Sequence, residues 1–212
     1  MEKFSEFNDP FTGVNPFVNP KSFKVTMVEI LKGLLMLPIY LLIYLKVNTI
    51  SFFIKISPNI KRFKGHIACN SSSMFDRYVI KHLLGNIPQF YLTKTGYRTK
   101  NGIVSSIPKD AVIFVEGCNS NNKGLLKFVR NIKVDYVMGL KYSDGCIYMY
   151  GSYFKFLCKF LNGGNFCDVQ IKRSEDINDL MEVCNLPQLD FGVEDKERFL
   201  KMVDEQKYSR VN

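Results

Sequence analysis

The sequence has no uninterrupted apolar run long enough for a simple membrane span. The sustained run GLLMLPIYLLIYL, at residues 33–45, is thirteen residues long and is bracketed by Lys32 and Lys46, whereas a spanning helix needs about 20 apolar residues. Pro38 lies in its middle, where it removes a helical hydrogen bond and forces a bend. This run therefore favours a kinked or hairpin insertion over a straight span.

Zinc-site and secretion patterns are also missing. The cysteines form no CxxC pair, and no histidine lies at ligand spacing from them, so we expect reduced thiols in a protein facing the cytosol and no bound metal. The first twenty residues are polar and proline-rich rather than basic and then apolar, so no cleavable secretion signal is expected. The six cysteines are Cys69, Cys118, Cys146, Cys158, Cys167 and Cys184.

Nothing in the 212 residues resembles an internal repeat or a second composition block, so a single domain is expected. The formal net charge of +9 indicates an anionic partner such as nucleic acid, lipid headgroups or phosphorylated substrates. The sequence has no helix-turn-helix, zinc-finger or aromatic RNA-binding pattern. We therefore expect no nucleic-acid partner, and the oligomeric state is left open.

Lysines and one arginine lie on both sides of the apolar run and of the following ISFFIKI. Cations on both flanks suit a segment that enters and leaves an anionic membrane face on the same side. The alternative is a buried core helix. The sequence thus predicts three parts: a polar segment at 1–22, a membrane-associated hydrophobic hairpin at 23–57, and an α/β domain at 58–212.

The remainder alternates strand and helix patterns, which predicts an α/β architecture with a largely parallel sheet flanked by helices. Two polar loops, NSSSMFD and FVEGCNSNNKGLLKF, follow strand candidates, and ligands in such sheets bind where strands end. The predicted strands are 66–70, 89–93, 111–115, 134–140, 146–150 and 166–172, and the predicted helices are 73–84, 152–161, 175–184 and 193–206.

These two loops resemble the glycerolipid acyltransferase (lysophosphatidic acid acyltransferase, PlsC-like) family, and most closely its lysophosphatidylcholine acyltransferase branch. The family motif NHxxxxD is matched by Asn70, Ser73 and Asp76, and its FPEGT block by 114–118. VDYVMGLKY is similar to a family strand, and NPFVNP is similar to the branch's membrane entry. The resemblance extends from about residue 15 to about residue 205.

The resemblance implies acyl transfer from acyl-CoA, as co-substrate, to a lysophospholipid hydroxyl in phospholipid metabolism. It implies no other cofactor, a membrane phospholipid partner, and a location on the cytoplasmic face of the endoplasmic reticulum. Its catalytic positions are Ser71 and Asp76, and its substrate-binding positions are Asn70, Ser73, Glu116, Gly117, Lys123 and Lys127.

The family's histidine, which acts as general base, is replaced here by Ser71. A serine hydroxyl cannot accept a proton near neutral pH, and losing a general base typically lowers the rate about 10²–10⁴-fold. His66 and His82 are the only histidines that could replace it. Two interpretations stay open: a divergent acyltransferase with a slow or relocated reaction, and a non-catalytic lipid-binding or partner-binding protein.

The sequence departs from the family in one further respect, and several candidate site residues also have simpler structural explanations. The middle segment between Asp76 and Glu116 is short and lacks a clear copy of the family's phosphate-binding arginine, for which Lys94 or Arg98 could substitute only by position. Ser73 and Asp76 have the form of a helix capping box. Glu116 with Gly117 fits an ordinary turn. The cluster Lys123, Lys127 and Arg130 fits either a phosphate site or a solvated face.

Overall fold

A computed structural model describes residues 4–22, 24–44, 50–57 and 63–208. It contains one eight-stranded sheet with helices against it. The strands are β1 Ile54–Ser57, β2 His66–Cys69, β3 Gln89–Leu92, β4 Tyr97–Thr99, β5 Gly102–Val104, β6 Ala111–Phe114, β7 Tyr136–Tyr142 and β8 Asn165–Arg173. The α-helices are α1 Met27–Tyr44, α2 Ile50–Phe53, α3 Asp76–Leu84, α4 Tyr153–Leu161, α5 Asp179–Cys184 and α6 Val193–Tyr208, with 3-10 turns at Ser5–Phe7 and Asp144–Cys146.

The strand order is β1-β8-β7-β2-β6-β3-β4-β5. Strands β7, β2, β6 and β3 are mutually parallel, β8 is antiparallel to β7, and β4 and β5 extend the other edge as an antiparallel hairpin. The predicted α/β class with a largely parallel sheet is confirmed. Cys69 pairs in register with Phe114 and Met138, so the carboxyl ends of three central strands lie side by side.

The central strands of the sheet are buried on both sides because helices cover both of its faces. On one face, Phe75 stacks on Phe160 of α4 with ring centroids 4.3 Å apart. On the other face, α5 packs against β7, with Leu180 buried there.

The strand predicted at 146–150 is wrong. Its polar backbone groups bond to side chains instead of to a neighbouring strand: Ser73 Oγ donates to the Cys146 carbonyl, and the Asn19 side chain bonds to Met149 N–H and the Tyr150 carbonyl. The strands β1, β4 and β5 were not predicted because their short apolar patterns are weak. Strand β1 forms by pairing with β8, β4 by pairing with β3, and β5 by pairing with β4.

The described part of the segment 23–57 does not support the predicted membrane hairpin. Helix α1 continues through Pro38 as one helix, and Ile54–Ser57 belong to the sheet, paired with β8. The chain between them, at 45–49, lies outside the described residues. Among the described helices, none has both the length and the apolar content needed to cross a bilayer.

The N-terminal segment, which was predicted to be polar, also contributes apolar side chains to the core. Phe4, Phe7 and Phe17 are buried in a cluster with Phe191 and Phe199. Its backbone is also tied to the polar loop after β6, because Asn121 N–H donates to the Pro16 carbonyl and the Asn121 side chain donates to the Asn15 and Val18 carbonyls. Residues 4–22 therefore belong to the domain.

Candidate functional site at the carboxyl ends of strands β2 and β6

The two predicted motifs meet where adjacent parallel strands end. The loop Asn70–Phe75 follows β2, and Glu116 follows β6. Val115 N–H donates to the Cys69 carbonyl at 3.1 Å, which continues the ladder past the strand ends. One oxygen of Glu116 then accepts from Ser71 N–H at 2.7 Å, so the second motif binds the first directly.

Asn70 extends the sheet on the other side of β2. Its amide oxygen accepts from Leu140 N–H at 2.7 Å, and its amide nitrogen donates to the Leu140 carbonyl at 2.9 Å. This two-bond pairing imitates a strand residue facing β7. Asn70 is fully buried, so its amide has a structural role in this arrangement.

The Asp76 carboxylate closes the loop upon itself at the start of α3. It accepts from Ser71 Oγ at 3.1 Å, Ser72 N–H at 3.0 Å and Ser73 N–H at 3.2 Å. The reach back to Ser73 N–H is one half of the predicted capping box. The other half is absent, because Ser73 Oγ accepts from Phe75 N–H and donates to the Cys146 carbonyl.

Glu116 joins the loop after β2 to the loop after β6. Its second oxygen accepts from Leu126 N–H at 2.7 Å, and the side chain is fully buried. Burial raises the pKa of Glu116 to about 8, against the lowering effect of those two backbone hydrogen bonds. Burial likewise raises the pKa of Asp76 to about 7, although hydrogen bonds from its neighbours lower it.

Two tyrosines that the sequence did not single out border this carboxyl pair. The Tyr142 hydroxyl lies beside Asp76 and acts to lower the pKa of that carboxyl, yet it makes no hydrogen bond of ordinary geometry. Tyr91 lies near Ser71, and the guanidinium groups of Arg77 and Arg98 each lie 5.4 Å from its ring centre. Nothing in the sequence indicated that Tyr142 of β7 and Tyr91 of β3 border the site, because these residues come together only in the folded sheet.

The histidines lie away from Ser71 and Asp76 along their elements. His66 begins β2, about four residues or 13 Å of strand before the loop, and its Nε2 lies 3.0 Å from the Pro108 carbonyl. His82 is in the last turn of α3, about 9 Å along the helix from Asp76. Neither imidazole occupies the place of the family's base.

Two cavities lie outside this cluster. One of about 720 Å³ is lined by Lys123, and one of about 450 Å³ by Gly117 and Lys127. Ser71, Asp76 and Glu116 line neither of them. The predicted phosphate-binding cluster is therefore divided: Lys123 pairs with Asp144 at 2.9 Å and Lys127 with Asp190 at 2.6 Å, while Arg130 Nε donates to the Thr93 carbonyl.

Gly117 occupies a position that only glycine fits well. Its φ is +72°, and a Cβ atom there would come within 2.7 Å of Val129 Cγ2 and 2.9 Å of the Leu92 carbonyl oxygen. Arg98 donates to the Gly117 carbonyl at 2.9 Å. Arg98, Lys94 and Gly117 share the smaller cavity, and Lys94 is paired there with Glu194.

The chemistry available to the cluster is limited by burial. Ser71 and Asp76 are at most 1% exposed, and the Ser71 hydroxyl donates to a carboxylate that also accepts backbone N–H groups. Within the described residues, no group of three or more histidine, cysteine, aspartate or glutamate side chains could hold a metal ion.

Comparisons with protein-family models, with curated proteins and with solved structures give no match.

Proposed function

We propose that this chain is a membrane-surface protein with an acyltransferase-like α/β domain, and that its NSSSMFD loop has a structural rather than a catalytic role. The observation that carries the proposal is the exposed apolar surface of α1. The resemblance to acyltransferases of phospholipid metabolism supports the cytoplasmic face of the endoplasmic reticulum as the location.

Between residues 27 and 42, helix α1 packs through a narrow seam. Gly33 and Tyr40 are buried, and Ile30 and Leu37 are half-buried on the same side. A Cβ atom on Gly33 would lie 3.4 Å from the Cys158 backbone, so α1 and α4 approach closely there. Large apolar side chains exposed around the rest of α1 are Met27, Val28, Leu31, Leu34, Leu35, Met36, Ile39, Leu41 and Leu42.

Such a surface is costly in water and favourable at a lipid interface. Contiguous apolar patches of this kind mark interaction sites, and an interfacial helix buries its apolar face about 5–10 Å into the boundary between headgroups and acyl chains. Phe154 of α4 and Phe52 of α2 are also exposed, by 51% and 77%. A membrane partner explains these exposed side chains together.

The test is sedimentation of the full chain with phospholipid vesicles. Leu31 and Leu35, which are 64% and 72% exposed, lie one helical turn apart, so L31E/L35E places two charges on the same face. We expect this variant to lose vesicle binding by about 100-fold or more, since each leucine side chain withdrawn from an apolar phase forfeits about 1.5–3 kcal/mol and about 1.4 kcal/mol corresponds to a tenfold change in affinity.

The matched control is I103E/L200E, which adds the same charges at exposed apolar positions on β5 and α6. This variant should bind vesicles like the unaltered chain. Equal loss in both variants, or no loss in L31E/L35E, would contradict membrane docking through α1.

A second candidate is a divergent acyltransferase that transfers acyl groups from acyl-CoA to lysophospholipids. It is favoured by the meeting of Asp76, at the start of α3, and Glu116, after β6, through Ser71, with the Arg98 guanidinium bonded to the Gly117 carbonyl. A thiol-release assay with acyl-CoA and a panel of lysophospholipids separates the candidates. The structural role predicts no release by the unaltered chain.

The variant S71H places an imidazole at the family's histidine position. If only the base was lacking, its rate should rise about 10²-fold over the unaltered chain, and S71H/D76N should lose most of that gain because the imidazolium loses its charged partner. No gain in S71H, with circular dichroism unchanged, favours the structural role. Release by the unaltered chain would favour the enzyme, and its loss in H66A or H82A would identify a relocated base.

A further inference from the structure

The larger cavity has a strongly basic lining. It has a volume of about 720 Å³ and lies where Lys21, Ser22 and Lys24 meet the turn after β7 and the end of α4. Four lysines line it, namely Lys21, Lys24, Lys123 and Lys159, and Asp144 is its one acidic lining residue. We refer to it as the lysine cavity.

Two of the four lysines are free to bind an anion. Lys159 is paired with Glu29, and Lys123 with Asp144. Lys21 and Lys24 are exposed and have no ion pair within the part of the chain that the structure describes. The cavity therefore presents uncompensated positive charge.

The lysine cavity adjoins the first turn of α1. Glu29 of that turn is paired with the lining residue Lys159, and the Glu29 carbonyl accepts from Asn162 at 2.8 Å. The neighbouring side chains Met27 and Val28 are 80% and 63% exposed. Phe166, a lining residue, is 50% exposed. Apolar side chains and lysines thus occur together at one end of α1.

We infer that the lysine cavity binds the phosphate of an anionic phospholipid in the membrane on which α1 docks. The inference rests on the membrane docking proposed above and names the lipid class. Ammonium groups form strong charge-assisted hydrogen bonds with phosphate oxygens. Each lysine near an anionic membrane surface adds about 1 kcal/mol, so the two free lysines give a selective attraction to anionic lipid.

The test compares the full chain with K21A/K24A on two vesicle types, one of phosphatidylcholine alone and one also containing phosphatidic acid. The unaltered chain should bind the anionic vesicles more tightly. K21A/K24A should lose about 30-fold of that gain, which corresponds to about 1 kcal/mol for each lysine. Its binding to phosphatidylcholine alone should not change.

The matched control is K109A/K133A, which removes the same charge from exposed positions near β6 and β7 and should keep the gain, because charges beyond a Debye length of about 8–10 Å are screened. Inorganic phosphate should reduce the gain more than chloride at equal ionic strength. An equal effect of both salts, or an equal loss in both double variants, would overturn the cavity site. Either result would mean that the chain is attracted to anionic vesicles by its overall positive charge.

These experiments distinguish a wrong cavity inference from a wrong proposal of membrane docking. If K21A/K24A keeps the full anionic gain while L31E/L35E abolishes all binding, docking stands and the cavity inference is overturned. If the unaltered chain binds no vesicle, calorimetry with glycerol 3-phosphate decides the remaining question. Binding there that K21A/K24A loses would assign the cavity to a soluble phosphorylated ligand, and absence of binding would overturn a phosphate site altogether.

Discussion

Ser71, Asp76 and Glu116 each satisfy backbone or hydroxyl groups that the ends of parallel strands leave exposed. Because buried polar groups without partners are costly, the same carboxylates that the resemblance assigns to a reaction also stabilise the two loops after β2 and β6. At the position where the resemblance places a histidine, the Ser71 hydroxyl donates to Asp76. The loop can thus persist without catalysis.

The buried carboxyls should make stability fall as pH rises. The folded pKa of Glu116 is about 8 against an ordinary 4.5, so the folded chain binds the extra proton between these values. Its stabilising effect is complete below about pH 4.5 and is lost as pH rises to about 8, with a slope of up to about 1.4 kcal/mol per pH unit.

Urea unfolding of E116Q at pH 5 and pH 7.5 should show a smaller loss of stability with pH than the unaltered chain. The control E205Q, at an exposed glutamate, should leave the slope unchanged. An unaltered slope in E116Q would mean that Glu116 is ionised throughout this range.

Gly117 provides a second test at the residue scale. G117A should destabilise the fold by about 1–2 kcal/mol from its left-handed backbone and by about 1–3 kcal/mol more from overpacking against Val129 and the Leu92 carbonyl. Gly163 also has a positive φ, of +88°, but open space around it. Denaturant unfolding of G163A therefore reports the backbone cost alone, and equal losses in the two variants would contradict the steric argument.

At the scale of elements, the N-terminal segment and α1 differ in how they use apolar side chains. The segment buries its phenylalanines in the domain, whereas α1 leaves most of its apolar surface exposed. The same kind of residue therefore contributes to folding in one element and to proposed membrane docking in the other. Hydrogen bonds from Asn121 to the segment link it to the loop after β6.

The segment's contribution can be measured with two phenylalanines. Phe17 is fully buried among Phe7, Phe191 and Phe199, and Phe11 is 91% exposed. F17A should lower the free energy of unfolding by about 3–5 kcal/mol, whereas F11A should change it by about 0.5 kcal/mol or less. Similar small effects of both would show that the segment is not docked in solution.

For the whole molecule, the six thiols report how tightly the sheet and helices enclose the core. All six are free; Cys118 is half-buried and the other five are buried. Burial is the main cause that raises the pKa of each thiol. Because the thiolate is the reactive form, both low access and low ionisation should slow alkylation.

Mass spectrometry after alkylation without reductant should therefore show six modifications in denaturant. In native buffer near neutral pH it should show slow reaction, with Cys118 modified first. A stoichiometric disulfide or bound zinc in the purified chain would contradict the expectation of reduced thiols facing the cytosol. Rapid native modification of several cysteines would contradict the buried core.

The elements with strong local patterns could be predicted from the sequence. Apolar patterns predicted strands β2, β3, β6, β7 and β8 and helices α3, α4, α5 and α6 within a few residues of their observed bounds, and the two polar loops were expected at strand ends. These features depend on neighbours along the chain. The same information predicted Asn70, Asp76 and Glu116 as one site, although only by resemblance.

Tertiary structure decided the rest, because it depends on residues far apart in sequence. Strand β1 exists through pairing with β8 more than a hundred residues later, and 146–150 is not a strand because Ser73 and Asn19 bond to its backbone. Only folding divides Lys123 from Lys127 between two cavities. The sequence singled out Ser71, Asp76 and Glu116 only through a resemblance. Their contact, and the burial that raises the pKa values of both carboxyls, come from the strands, helices and loops packed around them.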